Sequence, residues 1–203
     1  MSAVLPEGVR FRLDSVPWPD GAYKGDDGTL FDPSLRFLHP ALLEALEYWE
    51  SKRAGAAFPT RGAIDPLEIP SLLRHVLLFD RVEHEAAPGY TWRFRLVGTT
   101  VAALYGEHTG KLIEDALAPP IAKRNRGVME EAVKRHAPMR AIGRTRYVSS
   151  QWLVGEALVA PLSTDGQLID MLLSVVVTSS EDKPPEEAKR NWLAQADGKS
   201  GPP

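Results

Sequence analysis

The sequence predicts an α+β domain built on a five-stranded antiparallel sheet, with helices inserted after the second strand and one helix before the first. Two observations support this fold class. Segments in which apolar and polar residues alternate with a period of two indicate strands, and segments with a helical period separate them. The Asp165-Gly166 pair between the last two apolar segments is a strong hairpin signal. The order along the chain is helix, strand, strand, short helices, longer helix and three strands.

Composition limits the functions open to the chain. Its 203 residues are 43% hydrophobic and 25% charged, as expected for one folded domain with flanking segments. The formal charge of −3 lacks the basic excess of a nucleic-acid binder, so we expect no nucleic-acid partner. The absence of cysteine excludes disulfides, thiolate catalysis and cysteine-ligated metals. The longest apolar runs, such as Met171–Val177, have the length of a strand, so we expect no membrane partner and a cytoplasmic location.

Three regions differ in composition. Residues 1–36 are rich in Pro, Gly and Asp and predict an irregular N-terminal arm. Residues 37–180 carry the periodic segments and predict the domain with its leading helix. Residues 181–203, which contain Pro184-Pro185 and close on Gly201-Pro202-Pro203, predict a flexible C-terminal tail.

The first periodic segment, from Pro40 to Ala54, predicts a helix. Proline suits its first turn, and Gly55 suits its end. Three large apolar residues fall on one face of this helix: Leu42, Leu46 and Trp49. The stripe can pack on the open face of the sheet or on the helix of a partner. It is therefore a candidate interface for a homodimer or a signalling partner protein.

The next two segments, Val76–Glu85 and Tyr90–Val97, predict a hairpin of adjacent strands. Strict alternation in the second strand places four apolar residues on one face: Tyr90, Trp92, Phe94 and Leu96. Arg93 and Arg95 lie on the other face. They are plain surface charges if that face is open to solvent. If it is covered, Arg95 can pair with Asp80 on the neighbouring strand.

Helices and three further strands complete the predicted domain. A short helix spans Thr99–Tyr105, and a longer helix begins at Pro119 and ends before Pro138. The remaining strands are predicted at Met139–Val148, Trp152–Leu162 and Leu168–Thr178. The last of these carries its apolar residues on one face: Ile169, Met171, Leu173, Val175 and Val177.

Local strings, read in their order along the chain, resemble a PAS-like family of bacterial proteins that is often labelled PAS_5. The strings before the second strand are Tyr48-Trp49, Phe58-Pro59-Thr60-Arg61, Ile64-Asp65-Pro66-Leu67-Glu68-Ile69-Pro70 and Leu77-Leu78-Phe79-Asp80. Those after it are Phe94-Arg95-Leu96-Val97-Gly98-Thr99, Tyr105-Gly106 and Thr109-Gly110. The resemblance covers roughly Leu38 to Thr178. It implies a domain that senses a small ligand, a cofactor, light or redox state, and that signals through a partner protein or a dimer.

The resemblance also implies where a ligand would bind, because the pocket of a PAS fold lies between the sheet and the inserted helices. Residues expected to line it are Phe94, Leu104, Tyr105, Met129, Val133, Trp152, Met171 and Leu173. Aromatic and methionine side chains suit an adaptable apolar cavity for a small apolar or mixed-polarity ligand. The alternative is that these residues fill an ordinary core, in which case the chain is a dimerisation or adaptor module that binds no ligand.

Catalytic and cofactor signals are weak. The sequence contains no G-x-S-x-G, H-E-x-x-H, P-loop or G-x-G-x-x-G motif, so we expect no enzyme. The histidines, which have no metal-ligand spacing, are expected to be surface or capping residues: His39, His75, His84, His108 and His136. His136, near the end of the longer helix, is a conceivable haem ligand, but a histidine there more often stabilises the helix dipole. A non-covalent flavin stays open, and the sequence specifies no cofactor and no metal.

Overall fold

The computed structural model describes Leu13 and residues 18–25, 28–85, 89–146 and 152–180. In this part of the chain the helices are α1 (Pro40–Ser51), α2 (Thr99–Tyr105), α3 (Ile113–Ala116) and α4 (Pro119–Arg135). The strands are β1 (Tyr23–Lys24), β2 (Leu30–Asp32), β3 (Val76–Glu83), β4 (Tyr90–Val97), β5 (Met139–Arg146), β6 (Trp152–Leu162) and β7 (Met171–Ser180). Short 3-10 turns connect α1 to β3. The predicted tail, residues 181–203, lies outside the described residues.

The strands form one antiparallel sheet in the order β1-β2-β5-β6-β7-β3-β4. The predicted α+β class is confirmed, but the sheet has seven strands in the described part of the chain, so the prediction of five is corrected. The two additional strands, β1 and β2, come from residues predicted as an irregular arm. They are too short to show a period in the sequence. They form because β2 pairs with the edge of β5 and satisfies backbone groups there.

Helices cover both faces of the sheet. On one face, α2 and α4 lie over the central strands, and on the opposite face α1 packs across β6 and β7. Leu42 and Trp49 of α1 are fully buried, and the Trp49 indole N–H donates to the carbonyl oxygen of Pro161 at 2.8 Å. Leu46 packs against the same core. The predicted interface stripe is therefore internal to this structure, because the chain's own sheet covers it.

A β-bulge in β4 changes which residues face the inserted helices. Phe79 pairs with Phe94, but Leu78 pairs with Leu96, so Arg95 is an extra residue in β4. Leu96 consequently faces away from Phe94, is 38% exposed, and does not share a face with Tyr90, Trp92 and Phe94 as predicted. Both of the arginines that the sequence placed on the other face are about half exposed, and both bond to Asp80.

The connection between β6 and β7 is longer than the predicted connection, which ended at Gln167. Gly166 has a φ of +81°, as expected at such a position, but β7 begins at Met171 rather than Leu168. The Asp165 carboxylate explains the difference, because it accepts hydrogen bonds from the backbone N–H groups of Gln167 and Leu168. These bonds hold the chain in a loop before the strand starts.

A buried ionic network ties the N-terminal strands and α1 to the sheet. The Arg140 guanidinium, 1% exposed, donates to Glu156 at 2.6 Å and to Asp32 at 2.9 Å. The Glu156 carboxylate also accepts from the backbone N–H groups of Leu38 and His39, just before α1. Burial alone would raise the pKa of Asp32, but hydrogen bonds from Ser34 and Arg140 outweigh it and hold that pKa below its ordinary value.

Candidate functional site

A cavity of about 130 Å³ lies between the sheet and the helices α2 and α4. Its floor consists of glycines and alanines on the two central strands. Gly143 of β5 pairs directly with Gly155 of β6, and the next pair on the same face is Ala141 with Ala157. Since side chains on one face of a strand recur every second residue, four neighbouring floor positions carry at most one methyl group each. The cavity exists because these positions leave space that larger side chains would fill.

The solvent exposure of the floor residues supports the interpretation of this space as a ligand site. Gly155 and Ala157 lie on β6 and Val176 on β7, strands with neighbours on both sides, yet all three are only partly buried. Residues on the opposite face of β6, such as Leu158 and Ala160, are fully buried under α1. The space above the floor is therefore open to water-sized molecules, and it is neither sealed from solvent nor a shallow groove on the surface.

The walls of the cavity are mostly apolar. Phe79 and Phe94 come from β3 and β4, and their ring centroids lie 4.8 Å apart. The helical side is formed by α2 and α4, with Val101 and Tyr105 on the first and Val128 and Met129 on the second. An apolar pocket with a few polar groups is the usual form of a small-molecule site.

Ser174 is a polar group of the cavity that the sequence analysis did not single out. It lies on the helix-facing side of β7, next to Val159 of β6, and it is 3% exposed. Its hydroxyl is not among the described side-chain atoms that are both buried and without a hydrogen-bond partner. Because Ser174 borders the cavity, its hydroxyl is a polar group within reach of a ligand there.

Asn125 and Arg124 bring further polar groups from α4. The amide nitrogen of Asn125 donates to the carbonyl oxygen of Ile121 at 2.8 Å, which leaves its Oδ1 as an acceptor. The Arg124 guanidinium donates to the carbonyl oxygen of Arg144 at 2.8 Å. None of the described residues that line the cavity is Asp or Glu.

His108 borders the cavity from the loop between α2 and α3. Its Nε2 lies 2.8 Å from the carbonyl oxygen of Tyr105, and because a carbonyl can only accept, Nε2 carries the proton. The ring packs against Phe94, with 5.5 Å between centroids, and against Gly106, where an added Cβ would lie 3.1 Å from it. In this tautomer Nδ1 is an acceptor, and it is buried without a hydrogen-bond partner among the described residues.

Three of the residues predicted to bind a ligand line the cavity: Phe94, Tyr105 and Met129. Leu104 and Val133 lie on α2 and α4 but do not border it. Met171 and Leu173 are buried on the opposite face of β7, toward α1, because alternation places Ser174 and Val176 toward the cavity instead. The backbone of Trp152 belongs to β6, and its side chain lies outside the described part of the structure.

The histidines differ from the expectation that all are surface or capping residues. His39 is the N-cap of α1 and accepts from the Ala41 N–H at 3.1 Å, and His136 is the exposed C-cap of α4 with a φ of 51°. His75 is instead buried, and His108 is a partly buried residue of the cavity wall. Burial lowers the pKa of His75, with the charge of Arg74 as the next cause. His136 does not border the cavity, so the position considered for a haem ligand faces solvent.

A polar cluster lies beside the cavity, where β4 meets α3 and α4. Arg126 donates to Thr91 at 2.8 Å and to the Glu114 carboxylate. The Tyr90 hydroxyl donates to Glu130. Burial, followed by this hydrogen bond, raises the pKa of Tyr90 to about 12. The cluster fixes α3 and α4 against β4 and so holds the helical wall of the cavity in place.

Two searches of the described residues gave negative results. They contain no group of three or more His, Asp and Glu side chains that could hold a metal ion. No described helix combines the length and the apolar character that a bilayer-spanning segment needs.

Comparisons with known proteins agree with the fold. The family model described as PAS domain, PAS_5, matches residues 37–176. No curated protein sequence matches the chain. Among solved structures, "Structure of an RNA-binding Light-Oxygen-Voltage Receptor" matches with a TM-score of 0.37 and 13% sequence identity, over 69% of this chain and 39% of that one. These values are too low for the RNA binding of that receptor to bear on this chain. The family match extends over the four helices, over β3 to β6 and most of β7, and over every cavity-lining residue except Thr29. The chain belongs to the PAS domain family.

Proposed function

We propose that this chain is a sensory PAS domain that binds a small, mainly apolar molecule in the cavity above Gly143 and Gly155. The observation that carries the proposal is the partly exposed floor on central strands of the sheet. A protein interior normally leaves few voids larger than a water molecule, because voids lose packing contacts. Space bounded by a mainly apolar wall with a few polar groups, Ser174 among them, is better explained as room for a ligand.

The proposed output is a change in contact with a partner protein or a second copy of the chain, in the cytoplasm, and not a chemical reaction. The described residues of the cavity wall include one histidine and no carboxylate, so the wall offers neither a histidine–carboxylate pair nor a pair of carboxylates for acid–base chemistry. The alternative, an adaptor module with a filled core, finds less support. Two of the three residues of the α1 stripe that motivated it, Leu42 and Trp49, are buried within the chain, and the third, Leu46, is partly buried.

A native mass spectrum of the freshly purified full chain, recorded next to a denatured spectrum, tests the proposal. We expect an additional mass that is lost on denaturation, and the ratio of monomer to dimer should change when that ligand is removed and added back. An unchanged apo mass, together with no binding of single-ring compounds in calorimetry, would contradict ligand binding. If the monomer-to-dimer ratio does not change with the ligand, we propose instead that the domain signals through a partner protein.

A further inference from the structure

The lining of the cavity indicates a ligand class, on the premise of the proposed function that the cavity is a ligand site. We propose that the ligand is a neutral, planar molecule with a single ring that carries a hydroxyl or N–H group. Three features of the wall support this: its shape, its polar groups that can accept a hydrogen bond, and its lack of carboxylates.

Shape favours a flat ring. The floor formed by Gly143, Gly155, Ala141 and Ala157 carries nothing longer than a methyl group, so a planar molecule can lie close against the backbone of β5 and β6. The volume of about 130 Å³ is close to the ~150 Å³ of a cavity that admits benzene. Two aromatic residues of the wall, Phe79 and Phe94, supply ring faces and edges for contact with an aromatic ligand.

The polar groups of the wall can accept a hydrogen bond from a ligand. One N–H of the Asn125 amide donates to Ile121, which leaves Oδ1 as an acceptor and the second N–H as a donor. The Ser174 hydroxyl, which also borders the cavity, can accept or donate. His108 Nδ1 lacks a partner among the described residues, but protein atoms cover it, so a ligand would reach it only if the ring moved. A ligand O–H or N–H therefore finds acceptors at Asn125 and Ser174.

Charge favours a neutral ligand. A cation inside an apolar cavity needs a carboxylate, and none of the described lining residues supplies one. Arg124 is the one Lys or Arg side chain among those residues, and it donates to the Arg144 carbonyl. A cationic ligand therefore has no counter-charge in the wall, and a neutral ligand avoids the cost of moving a charge into a mainly apolar cavity.

The test compares phenol, aniline, toluene and benzylamine by calorimetric titration of the full chain at pH 7. Phenol and toluene have nearly the same shape. In a purely apolar cavity toluene binds more tightly, because the phenol hydroxyl loses its water without gaining a partner. In this cavity we expect the reverse order, with phenol and aniline binding about tenfold more tightly than toluene. Benzylamine, a cation at this pH, should not bind.

Two variants locate the effect. Ser174→Ala should weaken phenol binding by about five- to tenfold and leave toluene binding unchanged. Ser179→Ala is the matched control, since Ser179 lies on the same strand but on the face opposite Ser174, and both affinities should be unchanged. Toluene binding as tightly as phenol in the wild-type chain would overturn the ligand class and leave the proposed function intact. No binding of any of the four compounds, with no mass retained in the native spectrum, would overturn the proposed function itself.

Discussion

Filling the cavity from its floor separates a ligand site from a tightly packed core, and Ala157→Leu is the most direct change. Ala157 lies in the middle of β6, with Ala141 and Val176 opposite it on the neighbouring strands. Its side chain is partly exposed, and the cavity lies directly above it. A leucine at this position adds three carbons to the space that we assign to the ligand.

The expected effect on stability follows from the three carbons that the leucine adds to the cavity. Burial of three added carbons, at about 0.8 kcal/mol each, raises the free energy of unfolding by about 2.4 kcal/mol if the cavity accommodates them. Fixing the leucine rotamer costs about 0.5–1 kcal/mol. We therefore expect Ala157→Leu to raise the free energy of unfolding by about 1–2 kcal/mol while it abolishes binding of single-ring compounds.

Urea unfolding followed by tryptophan fluorescence measures the first effect and calorimetric titration the second. The midpoint should rise at an unchanged m-value, which indicates a change in stability alone. Ala103→Leu, the same change at an exposed position of α2, is the matched control and should shift neither quantity measurably. A loss of 2 kcal/mol or more for Ala157→Leu, about the cost of overpacking, would mean that the space is not available and would refute the reasoning.

Three other predictions follow from the buried groups. Arg140→Met leaves two buried carboxylates without their cation and should lower the free energy of unfolding by about 3–5 kcal/mol in urea titration; no loss would mean that the network is not a buried one. Because folding raises the pKa of Tyr90 from 10.0 to about 12, its contribution to stability should be complete below pH 10 and be lost between pH 10 and 12. Tyr90→Phe should make the decline in unfolding curves across that range smaller, and Tyr23 and Tyr48, whose pKa values are also raised, should account for part of the remainder; an unchanged decline would contradict the burial of Tyr90. Gly98→Ala places a Cβ 2.5 Å from the carbonyl oxygen of Leu73 and should destabilise by about 1–3 kcal/mol, and a neutral result would contradict the close approach of these backbones.

The sequence predicted strands well because the signal for a strand is local. Alternation identified the five long strands, and Gly106 ended α2 as expected, with a φ of +99°. The bulge at Arg95 was not predictable, because an extra residue in one strand becomes visible only when the partner strand is aligned with it. β1 and β2 were missed because strands of two and three residues show no period.

The candidate site was predicted only in part, and the misses share a cause. Alternation on β7 separated Met171 and Leu173 from Ser174, but both faces of this strand are buried, so alternation alone did not indicate which face borders the cavity. The expectation of aromatic and methionine side chains in the lining also favoured large residues, which fill the core instead of leaving a cavity. The floor is instead marked by small residues at alternate positions on neighbouring strands, and Gly155 and Ala157 carry that signal in the sequence.

Strand β6 connects the cavity to the buried ionic network, and this connection leads to a last prediction. Glu156 lies between Gly155 and Ala157, so its side chain points to the opposite face, where it accepts the N–H groups of Leu38 and His39 before α1. A ligand on the floor contacts the backbone of Gly155 and Ala157, and this backbone positions the Glu156 carboxylate between them. Hydrogen exchange at the Leu38 and His39 amides should therefore slow when phenol saturates the cavity. Exchange at the Leu67 amide, which donates to the Asp65 carboxylate in an exposed turn, should not slow. If all three amides exchange at unchanged rates, ligand binding is not transmitted through β6 to the opposite face of the sheet. Transmission of the signal through α2 or α4 then becomes the better explanation.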